Sequence, residues 1–114
     1  MKESRDRHRH RDRFYIAVEG LASHDGSIQD RLENALKTLL PLKPEDSPQE
    51  LRSDHVLLRS YMHEVQATGE EGNIAASMRV ISSDEARKVA ELIVSIHARL
   101  ERMHDDLGDP DLYK

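Results

Sequence analysis

The chain contains no cysteine and no tryptophan. The first absence excludes disulfides, zinc–thiolate sites and thiol nucleophiles. Aromatic residues are limited to Phe14, Tyr15, Tyr61 and Tyr113, so Leu, Ile, Val, Ala and Met must fill the interior. That composition argues against a sheet protein, which leans on aromatic and β-branched side chains. No apolar run approaches the ~20 residues that a membrane-spanning helix needs. The charged start is not followed by a secretory apolar core, so a cytoplasmic place without a membrane partner is expected. Glycine and proline are sparse as well, five and four residues, and each break in the pattern is therefore easy to see.

What the sequence does have is one long periodic stretch. Between Ser82 and Leu107, Ala86, Val89, Ile93, Ile96, Leu100, Met103 and Leu107 recur at alternating steps of three and four. This is the seam of a helix packed lengthwise on others, sustained for about three heptads. Ser82 with Glu85 forms a capping box at its start, and Gly108 and Pro110 end it. The 114 residues suit a single domain whose remaining helices cover this one.

Ahead of it, Phe14, Ala17, Val18 and Leu21 fall at helical spacing, although Phe-Tyr-Ile-Ala-Val has strand composition. A helix is expected there, loosened near Gly20 and ended before His24-Asp25-Gly26. Ser27, with Asp30 three residues on, starts a second helix whose apolar face runs from Ile28 to Leu40 and stops at Pro41. Ser47-Pro48-Gln49-Glu50 reads as an N-cap, a first-position proline and a capping box for a third helix reaching about Ala67. The Gly69–Gly72 stretch breaks it, and a short helix capped by Asn73 carries Ile74, Ala75, Met78 and Ile81. The fold class expected is all-α, a small antiparallel helical bundle of three long and one or two short helices. It spans residues 14–107, with residues 108–114 frayed.

Residues 1–13 differ from the rest. Residues 2–13 carry six Lys/Arg against three Asp/Glu, whereas residues 14–114 carry eleven against nineteen. With no apolar residue after Met1, this stretch is expected to be a disordered, flexible basic arm. Arg5, Arg7, Arg9, Arg11 and Arg13 would be its contacts to a nucleic acid, but interleaved Asp6 and Asp12 dilute the charge.

Three constellations carry possible chemistry. His97, Glu101 and His104 share one side of the last helix, and Glu-x-x-His is a ligand pair used by di-iron bundles. No second such pair is present to complete a metal site. Arg99 and His104 have the Arg-x4-His spacing that resembles the ribonuclease motif of HEPN-type helical dimers. In that family Arg and His from two chains converge on a phosphate. The resemblance covers six residues and departs from the pattern at Leu100, a seam residue, so no function is carried over. His55 sits on the apolar face of the third helix beside Asp54, and burial there would make it titrate below its usual range.

No glycine-rich phosphate loop or serine–histidine–aspartate grouping stands out, so enzyme chemistry has little support and no cofactor is expected. The sequence favours an interaction or regulatory module that self-associates. The last helix is longer than its expected partners, so Ile96, Leu100, Met103 and Leu107 would present an uncovered interface. The expected partner is a second copy or another helical protein, with nucleic acid bound by the arm as the alternative. A metal-dependent or ribonuclease-like activity around His97, Arg99, Glu101 and His104 is a third reading.

Overall fold

A computed structural model describes the backbone of residues 2–66 and 70–106, and the side chains of residues 8–66 and 72–103. It is all-helical, with no strand among the described residues. The periodic stretch forms α5 (Ser83–Asp106), opened by the Ser82 hydroxyl, which accepts from the Glu85 amide at 3.1 Å. Ala86, Val89, Ile93, Ile96 and Leu100 are all buried along it, as their spacing requires. Leu107 lies outside the described residues, as does the expected frayed tail.

The first helix, α1 (Lys2–Ser23), is longer than the sequence suggests. The expected disordered arm ending at residue 13 is replaced by helix, and His10 is only 2% exposed. The reason is periodic: His10, Phe14, Ala17 and Leu21 step by four, three and four, and all four are buried. A histidine occupies the position where an apolar residue would have revealed the stripe. Phe14–Val18 is helix, in line with its spacing rather than its strand-like composition.

A turn at Gly26 (φ 108°) leads into α2 (Ile28–Leu39). Glycine is required there, because a Cβ would meet Asp30 Oδ2 at 2.8 Å as well as strain the backbone. Ser27 and Asp30 form the full capping box, the Ser27 hydroxyl accepting from the Asp30 amide and the Asp30 carboxylate from the Ser27 amide. Arginines close two helix ends. Arg31 donates to the Leu21 carbonyl of α1, and Arg59 donates to the carbonyls of Leu40 and Leu42 around Pro41.

The third helix starts later and ends sooner than expected. Two 3₁₀ turns, Pro44–Asp46 and Gln49–Leu51, precede α3 (Arg52–Met62). Ser47 does not cap it, because its hydroxyl is turned inward to His55. Beyond Met62 the chain is tied to α4 (Glu70–Val80) instead of continuing as helix. The Val65 amide donates to Ser77 Oγ at 2.9 Å, and Asn73 Nδ2 lies 3.2 Å from His63 Nδ1. Asn73 is a buried residue within α4, not its cap.

α1 packs against α2 and α5, α2 also against α4 and α5, and α3 against α4 and α5. Phe14, Leu36, Leu39, Leu58, Met62, Ile74 and Ile93 meet in the shared core. No helix among the described residues is long and apolar enough to cross a membrane.

Candidate functional site

Two regions depart from the ordinary plan of polar outside and apolar inside. The first is a buried histidine pair where α1 meets α3. His55 is fully buried, and the Ser47 hydroxyl lies 2.6 Å from its Nδ1. His10 of α1 approaches edge-on, ring centroids 5.5 Å apart, and Phe14 does the same at 5.9 Å. His10 Nε2 lies 3.3 Å from the Lys43 carbonyl. His55 Nε2 is buried without a hydrogen-bond partner. Burial, then the nearby His10 and Arg59, lower the His55 pKa to about 4, as the sequence suggested for a buried His55. His55 is therefore neutral near pH 7 and shares a hydrogen bond with the Ser47 hydroxyl through Nδ1. A serine–histidine pair of this kind can activate a nucleophile where substrate reaches it. Here Ser47 and His55 are both buried, and the pair holds the 3₁₀ turn at Pro44–Asp46 against α1 and α3.

The second region is the outward side of α1 and α5. Val18, Leu21 and Ala22 of α1, Ile28 of α2, and Ala90, Glu91, Val94 and Ser95 of α5 line an open groove of about 460 Å³. Apart from Glu91 and Ser95 its walls are aliphatic, and Val94 is 47% exposed. Apolar side chains gathered at the surface in this way are a feature of contact sites.

The sequence-derived interface is displaced by these observations. Ile96 is 2% and Leu100 3% exposed within the single chain, and Met103 is partly covered. The additional length of α1 accounts for this, since its residues run beside the far half of α5. Arg11 Nε lies 3.7 Å from Glu101 Oε1, and the Tyr15 and His97 rings are 6.0 Å apart.

Among the described residues, the side chains proposed for metal or phosphate chemistry form one pair and no larger cluster. His97 Nε2 lies 3.4 Å from Glu101 Oε1, so that pair exists, while the side chain of His104 is outside the described residues. Among the described residues no three His, Asp or Glu side chains gather as a metal site. Arg99 sits roughly 200° around α5 from His97 and pairs with Asp54 of α3. It is committed to the fold and turned away from the His97–Glu101 pair. The basic stretch is partly committed too. Arg11 meets Glu101, and Arg13 Nη1 lies 3.5 Å from the Thr38 carbonyl; Arg9 is exposed, and the Arg5 and Arg7 side chains are outside the described residues.

Sequence reasoning missed Val18, Ala22 and Val94 as a surface. The available signal was Val94 itself, an apolar residue on the side of α5 opposite its seam. No family model, curated protein or solved structure matches the chain.

Proposed function

We propose that this chain is an interaction module that holds a helical partner over the groove between α1 and α5. The observation that carries this reading is the groove: open, about 460 Å³, and aliphatic over most of its lining. A ridge of aliphatic side chains on a partner helix is the complement of such a trough. The order of contacts supports an antiparallel bundle as its scaffold. Along α1, Arg11, Tyr15 and Val18 meet Glu101, His97 and the Val94 region in turn. A scaffold of packed helices also suits docking, because it presents the groove with little ordering left to do on binding.

The nucleic-acid alternative has less support, since Arg11 and Arg13 are engaged within the fold. An anilinonaphthalene sulfonate dye tests the docking reading in dilute protein. The native chain should take up the dye, and Val94→Glu should abolish that uptake while leaving the helical circular-dichroism spectrum unchanged. Absence of dye uptake by the native chain at every dilution would count against an accessible docking groove.

A further inference from the structure

Resting on the docking reading, we infer that the partner is a second copy of this chain, paired with the first by a two-fold axis across α5. The side of α5 facing away from the core carries Glu91, Val94, Ser95, Ala98 and Arg102, all exposed. At roughly 100° per residue they fall within about 100° of one another around the helix. Between Glu91 and Arg102, about 16 Å of helix, Val94, Ser95 and Ala98 carry no charge, while Glu101 at the edge of this side meets Arg11 and His97 of the same chain. A solvated helix face normally alternates charges along such a length. The uncharged middle continues into the aliphatic groove through Val94 and Ser95, which line both.

A two-fold contact brings the same patch together from both chains, so the patch must be complementary to itself. This one is. The midpoint of Val94 and Ala98 falls at position 96, and that of Glu91 and Arg102 half a residue further, less than about 1 Å along the axis. Two α5 helices crossing head to tail there place Val94 over the partner's Ala98. The same register sets Glu91 opposite the partner's Arg102, twice by symmetry. Opposite charges flank an apolar centre, which favours this register over a parallel one that would oppose like charges. The two grooves then close on a common aliphatic interior.

Solution mass from light scattering after size exclusion, across a concentration series of the full chain, tests this. The native chain should move toward twice its 13.1 kDa mass as concentration rises. Glu91→Arg and Arg102→Glu should each weaken the dimer roughly tenfold or more, because each opposes like charges twice. The double variant should restore it, which no loss of folding could mimic. All of these positions are exposed, and circular dichroism checks each variant. A native chain that stays monomeric, or a dimer indifferent to both charge reversals, overturns the inference. Dye uptake abolished by Val94→Glu in a chain that remains monomeric would leave the docking reading standing with a different occupant. A monomer that takes up no dye removes both.

Discussion

The histidine pair and the Val94 face are mirror images in physical terms. One places titratable, polar rings where a core would normally hold leucine; the other places aliphatic groups where solvent would normally meet charge. Each arrangement has a cost, but of a different kind. Burying His55 keeps it neutral and leaves its Nε2 without a partner, a desolvation cost that the Ser47 contact at Nδ1 offsets only in part. Leaving Val94 exposed and Val18 only partly buried forgoes burial that another chain can still supply. The buried pair therefore bears on stability within one molecule, and the exposed face, on the proposed docking reading, bears on behaviour between molecules.

The largest effect that separates them is acidification. The folded His55 pKa is about 4 against an ordinary 6.5, so between these values the unfolded chain binds a proton that the folded chain refuses. The stability associated with neutral His55 is full above pH 6.5, falls as pH is lowered and is lost near pH 4. The total is about 3 kcal/mol. Urea midpoints at several pH values measure it, and His55→Leu should flatten the dependence over that window. An equal slope in the variant would assign the acid response to other groups. The groups facing His55 are His10 from α1, Ser47 from the turn and Arg59 from its own helix.

Next comes Ser47→Ala, which strands a buried His55 Nδ1 and should cost about 1–3 kcal/mol in denaturant unfolding. Were Ser47 only a helix cap, His55→Leu would leave the Ser47→Ala cost intact; here the two costs should overlap strongly. Ser27→Ala offers the reference for an ordinary cap, at about 1 kcal/mol. Its cost should be independent of His55, because Ser27 acts only on α2. Smallest is Val94→Glu, expected within about 0.5 kcal/mol in the unfolding of the dilute chain. That variant should nonetheless change dye uptake most, and a large loss of stability would mean that Val94 packs within the monomer.

The same comparison explains what could be read from the sequence. The α5 seam, the Ser27 box and the burial of His55 follow from spacing and cap chemistry, which act over a few residues. Ser47 defeats that reasoning because two local signals, the following proline and Glu50, point to a cap. A residue eight positions away takes the hydroxyl instead. The start of α1 is hidden for a related reason, since His10 reads as polar until Phe14 and His55 are known to surround it. The end of α3 depends on Ser77 and Asn73, which belong to another helix. The interface expected at Leu100 leaves out the N-terminal turns of α1, which lie beside that end of α5. The proposed pairing of Glu91 with Arg102 draws on two positions of α5 that gain meaning only once that side is known to face solvent.

The contact of Arg11 and Tyr15 with Glu101 and His97 also sets a timetable. α1 is synthesised before α5, the two separated by about 60 residues, several seconds of translation at ordinary rates. α2 can cover one flank of α1 soon after it emerges, but the flank destined for α5 must wait. Closing that long loop is the slow, entropically costly step of assembly. During the wait Phe14 and Ala17 lack their final cover. A nascent chain therefore passes through a stage in which α1 is open to capture by a chaperone or by a neighbouring chain.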